Sequence, residues 1–161
     1  MAFVPRPRLT LMDSAPRLTS RSLPSSPFLP GRTARPVEDR REIPFVPPER
    51  FRENEEFLFG IDLFNHGFYW EAHEAWEGVW RRCARGTVQH VFLQGLIQIT
   101  ASYLKRVLDE ARAADDLLDR GCRRLENLAV ERVPVHGVRV QEFAAACRKS
   151  PATAPLLSLA D

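Results

Sequence analysis

A histidine and a glutamate four residues apart, His73 and Glu77, occupy the middle of the most aromatic stretch of this sequence. In a helix, residues spaced i, i+3, i+4 and i+7 share one face. That face consists of Tyr69, Ala72, His73, Trp76, Glu77 and Trp80. A face with three large aromatics becomes buried, and burying an imidazole and a carboxylate is unfavourable unless each finds a partner. The stretch therefore predicts either a structural polar pair or a functional site.

The structural interpretation places His73 and Glu77 in a buried hydrogen-bond network that fixes the register of neighbouring helices. The further candidates for this network are Asn65, Glu74, Gln94 and Gln98. Glu77 can instead turn outward to Arg81, four residues further on, as a surface ion pair.

A metal site is the second interpretation, because histidine and glutamate at i, i+4 can bind one ion together. A catalytic zinc site needs a third protein ligand, and the candidates are Asp62, His66, Glu74 and His90. The spacing is not H-E-x-x-H, and no second Glu-x-x-His exists for a di-iron bundle. We therefore expect no metal and no cofactor.

A binding pocket is the third interpretation, with Tyr69, Trp76 and Trp80 as an aromatic wall. His73 held by Glu77 is the catalytic candidate in such a cleft, as a general base. The sequence contains no G-x-S-x-G nucleophile and no phosphate-cradling glycine loop. These features favour a non-catalytic protein.

The composition is that of one ordinary globular domain: 161 residues, 44% apolar and 27% charged. There is no apolar run of about 18 residues, so we expect no membrane association. The three cysteines have no C-x-x-C spacing, which favours reduced thiols and a cytoplasmic location. Eight arginines against four acidic residues make residues 1–48 basic, whereas the remainder is slightly acidic and offers no face for nucleic acid.

Ten of the thirteen prolines precede residue 49, so the first part of the chain predicts an extended segment without a core of its own. We expect a disordered tail over residues 1–27 and an extended arm over 28–48 that can dock on the domain. A helical domain is predicted over residues 49–150, and a flexible tail over 151–161.

The apolar periodicity predicts an all-α bundle of about five helices. The expected ranges are about Glu49–His66, Tyr69–Cys83, Thr87–Glu110, Ala111–Ala129 and Val138–Lys149. The first four form two hairpins, and small and large residues in the first hairpin follow tetratricopeptide spacing. Gly67 is predicted to end the first helix, and Thr87 is predicted to cap the third.

Two blocks of the sequence resemble the family called domain of unknown function 309, which has bacterial, archaeal and plastid members. The first block is GIDLFNHGFYWEAHEAWEGVW, residues 60–80, and the second is FLQGLIQ, residues 92–98. The likeness extends over roughly residues 27–130, although the histidine expected between prolines in the arm is missing at Thr33–Pro36. The resemblance implies a compact all-α fold and no established activity. It marks Asn65, Gly67, Glu71, His73, Glu74, Trp76, Glu77, Trp80, Gln94, Gly95 and Gln98.

From these observations we expect a small helical module that binds a protein, a peptide or a small ligand. The sequence does not identify the partner, and a second copy of this chain, in a homodimer, is one of the alternatives. The alternative is a metal-dependent hydrolase-type enzyme with a site centred on His73 and Glu77.

Overall fold

The computed structural model describes residues 15–38, 41–128 and 134–161, and the all-α prediction is confirmed. A 3-10 helix covers Pro48–Glu53. Five α-helices follow: α1 Glu55–Asn65, α2 Tyr69–Trp80, α3 Val88–Val107, α4 Ala111–Leu128 and α5 Val140–Lys149. Apart from one bridge between Val135 and Val138, these described ranges contain no strand pairing.

The start of the first helix differs from the prediction, because the chain leaves helical geometry at Asn54 (φ −83°, ψ 87°). The side-chain oxygen of Asn54 accepts a hydrogen bond from the amide of Phe57 at 3.1 Å. An asparagine in this position satisfies a free amide at the helix N-terminus. The predicted helix from about Glu49 is therefore a 3-10 helix followed by a separately capped α1.

The other helix boundaries follow local signals closely. Gly67 (φ +83°) ends α1, and the hydroxyl of Thr87 caps α3 by accepting from the amide of His90 at 3.2 Å, as predicted. The second helix ends at Trp80 instead of Cys83, because the amides of Arg82 and Cys83 bond carbonyls three residues back. The predicted end of α4 at Ala129 lies outside the described residues.

Each α-helix packs against the next one along the chain. Trp76 of α2 is fully buried and donates its indole N–H to the carbonyl of Phe57 at 3.1 Å. Gly60 of α1 lies directly against this indole ring. The third and fourth helices lie close together where Gly95 faces Gly121. The tetratricopeptide likeness of the first pair stays a prediction.

The N-terminal segment lies along the helices, and its contacts begin earlier than predicted. We call residues 15–47 the arm. Leu18 and Thr19 bond α1, Phe28 bonds α2, and Arg32 bonds the carbonyl of Val107 at the end of α3 at 3.2 Å. Residues 1–14 of the predicted tail lie outside the described residues, and the part from Ala15 to residue 27 contacts α1. The prolines and arginines of this segment follow no helical or strand period, so its contacts could not be predicted from the sequence.

The C-terminal segment is also held in place, where a flexible tail was predicted. Leu157 is 2% exposed, and its amide and carbonyl both bond the Asn65 side chain at 2.8 Å. Ala160 donates its amide to the carbonyl of Gly137 at 2.7 Å. One buried leucine and the hydrogen bonds of one asparagine side chain give no repeating pattern, so these contacts could not be predicted from the sequence.

None of the helices in the described ranges combines the length and the apolar character needed to cross a membrane.

Candidate functional site

The predicted polar pair does not lie at the centre of the buried face of α2. Ala72, Ala75, Trp76 and Val79 are buried, which fixes the direction of the core. His73 and Glu77 lie at the edge of this face, with side chains 27% and 25% exposed. Of the stripe predicted to be buried, Ala72 and Trp76 are buried, whereas His73 and Glu77 are only half-buried.

Three side chains of α2 form a cluster at this edge. The His73 Nδ1 atom lies 3.4 Å from Glu74 Oε1 and 3.7 Å from Glu77 Oε2. Glu77 also accepts a hydrogen bond from Arg81 at 2.5 Å, which is the outward pair considered from the sequence. Two carboxylates against one arginine leave a local excess of negative charge around the imidazole.

The other predicted network residues bond elsewhere. Asn65 holds Leu157 of the C-terminal segment, and Gln98 accepts from Arg124 of α4 at 2.9 Å. Gln94 is half-buried on α3. The described hydrogen bonds therefore do not join Asn65, Gln94 or Gln98 to His73.

The predicted aromatic wall is divided between the core and the surface. Trp76 is central to the core, and Tyr69 packs against Phe64 and Tyr103. Burial raises the pKa of Tyr69 to about 12, so this phenol stays protonated at neutral pH. Trp80 stacks on His90 with ring centroids 4.9 Å apart. Tyr69 and Trp76 thus stabilise the fold, while Trp80 remains half-buried beside the cluster.

The cysteines offer no activated nucleophile. Cys83, Cys122 and Cys147 are free and buried. Burial raises their pKa values to about 11, 11 and 12. A thiol becomes nucleophilic as the thiolate, so these three groups are inert at neutral pH.

Asp62 has an extensive set of polar contacts, although the sequence indicated for it only a possible role as a metal ligand. Its side chain is 0% exposed, and its Oδ1 accepts from the Leu18 amide at 2.7 Å. Its Oδ2 accepts from the Thr19 amide at 3.0 Å and from the Thr19 hydroxyl at 2.7 Å. Arg17 Nε lies 3.1 Å from the same oxygen. One carboxylate therefore binds an arginine and two consecutive residues of the arm.

Arm contacts continue to either side of Asp62. Arg21 bonds Glu56 at 2.6 Å and lies over the Phe59 ring, 4.0 Å from its centroid. An arginine between a carboxylate and an aromatic face gains from both charge pairing and cation–π attraction. We call the surface formed by Glu56, Phe59 and Asp62 the α1 surface.

A second carboxylate binds the arm further along. Glu71 Oε1 accepts from the Phe28 amide at 2.7 Å, and the Phe28 ring meets Trp70 edge-on at 4.7 Å. Burial raises the pKa of Glu71, against the opposing effect of that amide hydrogen bond. Glu71 belongs to the motif that the family resemblance marked, and its role in this structure is to hold the arm.

Two of the residues that the sequence offered as a third metal ligand already have other hydrogen-bond partners. The Asp62 carboxylate is saturated by the arm, and the His66 Nδ1 lies 2.7 Å from the Asp62 carbonyl. Glu74 is the one that the structure brings to His73 and Glu77.

The contacts of Asp62 predict a specific protease result. Replacing Asp62 with Asn should speed tryptic cleavage after Arg17 and Arg21 by about tenfold or more. Hydrogen bonds to a charged group are worth about 1.5–3 kcal/mol, and cleavage follows the open population. Timed digestion with mass spectrometry measures this rate, and the exposed Arg85–Gly86 bond is the internal control. Equal acceleration at all three sites would show general unfolding and contradict local release.

The fold is an all-α bundle, and the carboxylates of Asp62 on α1 and Glu71 on α2 bind the arm. Residues 57–117 match the family model described as Domain of unknown function (DUF309), which confirms the resemblance found in the sequence. The match covers α1, α2, α3 and the first part of α4, including the His73 cluster and Asp62. Comparison with curated proteins and with solved structures found no match to either.

Proposed function

We propose that this protein is a non-catalytic binding module for an extended polypeptide segment that carries arginine. The observation that supports the proposal is the Asp62 carboxylate, which is completely buried by the arm and receives four donors from it. The α1 surface thereby has the chemistry of a peptide receptor, filled here by the chain's own residues 17–21.

The contacts define what a competing segment must offer. Two consecutive backbone amides and a hydroxyl meet one carboxylate, and two arginines flank them at Asp62 and Glu56. Backbone amides bind without regard to sequence, whereas the arginines and the threonine hydroxyl give selectivity. A partner segment therefore follows the spacing Arg-x-Thr-x-Arg in an extended conformation.

The arm regulates access to this surface because it is covalently tethered. A short flexible tether gives an effective concentration in the millimolar range. A partner segment must displace the arm from the α1 surface, so the intact wild-type chain should bind a free peptide only weakly. Weakening the arm's own contacts should expose the surface for binding in trans.

The test uses the full chain carrying Arg17→Ala and Thr19→Ala, titrated with a labelled peptide of residues 15–24. We expect saturable binding of one peptide per chain, followed by fluorescence anisotropy. A peptide with the same two alanine substitutions is the matched control and should bind about tenfold or more weakly, since it lacks the charge-assisted bonds. Equal binding of both peptides, or of neither, would contradict the proposal.

A further inference from the structure

The cluster of His73, Glu74 and Glu77 is not used by the arm, and it has the composition of a metal site. One ligand atom from each side chain can be chosen so that all three lie within 4.8 Å of one another. Because all three side chains belong to α2, the helix backbone sets their relative positions. The cluster is therefore formed without any movement of neighbouring helices.

The distances fit a small cation. Ligand atoms about 2.0–2.2 Å from a tetrahedral zinc ion lie roughly 3.3 Å from one another. In this structure, His73 Nδ1 lies 3.4 Å from the nearest Glu74 oxygen and 3.7 Å from the nearest Glu77 oxygen. Rotations of the glutamate side chains, which are partly exposed, are sufficient to close the remaining difference.

A second observation concerns the imidazole itself. The His73 Nδ1 atom is inaccessible to solvent, yet it makes no hydrogen bond with any described residue. Buried polar atoms are nearly always satisfied, so an unbonded one between two carboxylates requires an explanation. An ion bound jointly by the nitrogen and both carboxylates supplies the missing interaction.

The donor set indicates the class of ion. Imidazole suits zinc, iron, nickel and copper, whereas a hard ion such as magnesium or calcium prefers oxygen alone. Three protein ligands also leave one coordination position for water or an external group. No metal was expected from the sequence, because neither the H-E-x-x-H nor the Glu-x-x-His pattern is complete. Among the candidates for a third ligand, Glu74 is the one that lies beside His73 and Glu77.

We propose that His73, Glu74 and Glu77 form an open, three-ligand site for a divalent first-row transition ion, with zinc as the probe. Arg81 bonds the Oε1 atom of Glu77 at 2.5 Å, whereas Oε2 is the oxygen that lies near His73. The guanidinium can therefore stay in place, but its positive charge beside the site opposes binding of a cation.

The experiment is calorimetric titration of the full chain with zinc, together with metal analysis of the dialysed protein. We expect one zinc ion per wild-type chain. His73→Ala, Glu74→Gln and Glu77→Gln should each weaken binding by at least about tenfold, since even outer-sphere partners are worth that factor. Arg81→Gln should strengthen binding by up to about fivefold, the factor that an exposed ion pair is worth.

Glu110→Gln is the matched control, because it replaces a glutamate outside the cluster, one that pairs with Lys105, and should leave zinc affinity unchanged. Thermal unfolding without metal verifies that each variant is folded. Absence of stoichiometric zinc, or zinc binding that survives all three ligand substitutions, would overturn the proposal. None of these changes touches Asp62, so the metal proposal and the peptide proposal stand or fall separately.

Discussion

Acidification from about pH 7.5 to about pH 4 is expected to lower the free energy of unfolding by about 3 kcal/mol through His136 alone. This residue is 5% exposed and lies among three phenylalanine rings, Phe51, Phe57 and Phe92. Neither ring nitrogen has a hydrogen-bond partner among the described residues. Burial lowers the pKa of His136 from 6.5 to about 4. A pKa difference of this size between the folded and unfolded states changes the free energy of unfolding by about 3 kcal/mol.

The direction follows from proton uptake. Below about pH 6.5 the unfolded chain protonates His136 and the folded chain does not, so falling pH favours unfolding. The loss ends near pH 4, where the folded protein also takes up the proton. Denaturant unfolding across this range measures the slope.

His136→Asn is the informative variant for this pH dependence, because asparagine tolerates the positive φ of 49° and cannot become charged in this range. The pH slope should flatten in His136→Asn and persist in the matched control His90→Asn. Comparing slopes separates the titration from any constant change in stability. An unchanged slope in His136→Asn would assign the acid sensitivity to other groups.

Gly60→Ala and Gly121→Ala are each expected to destabilise the protein by about 2 kcal/mol or more. A Cβ atom at Gly60 would lie 2.2 Å from the indole nitrogen of Trp76, which is fixed by its bond to Phe57. A Cβ atom at Gly121 would lie 2.8 Å from the Gly95 carbonyl oxygen. Overpacking of this kind typically costs about 1–3 kcal/mol, and neither an enclosed indole nor a helix backbone can move aside easily. Chemical denaturation gives the values.

Gly78→Ala is the matched control within the same fold. Its new Cβ would meet the terminal methyl group of Ile43 at 2.3 Å, and that side chain belongs to the arm. The arm can shift, and alanine favours the helix by about 1 kcal/mol over glycine. We expect a change of less than about 1 kcal/mol. Equal destabilisation by all three substitutions would contradict the close helix packing described above.

The helices were predictable because burial repeats at the helical period. Gly67 and Thr87 marked boundaries for a local reason, backbone freedom in one and a capping hydroxyl in the other. The first helix was predicted to run from about Glu49 through Asn54 without a break, although Asn54 is the cap that separates two helices. A single capping contact overrides periodicity wherever its geometry is better satisfied than a continuous helix.

The candidate site was predictable in part. Spacing correctly brought His73 and Glu77 close together, at 3.7 Å. It did not show which half of a wide stripe faces the core, because Ala75 and Val79 lie outside the stripe and complete the buried side. The role of Asp62 was not predictable, since its partners are backbone amides some 43 residues earlier. Contacts between a helix and an irregular segment leave no period in the sequence.

The role of Asp62 in peptide binding is tested by the affinity of the residue 15–24 peptide for two receptors that differ only at this position. Both carry Arg17→Ala and Thr19→Ala, and the second also carries Asp62→Asn. Asparagine keeps the shape of the side chain but loses the charge and one acceptor oxygen. We therefore expect the Asp62→Asn receptor to bind the peptide more weakly, by about tenfold or more. Wild-type-like unfolding of both receptors would establish that the surface is intact. Equal affinity for the two receptors would contradict the claim that Asp62 is the centre of a peptide-binding surface.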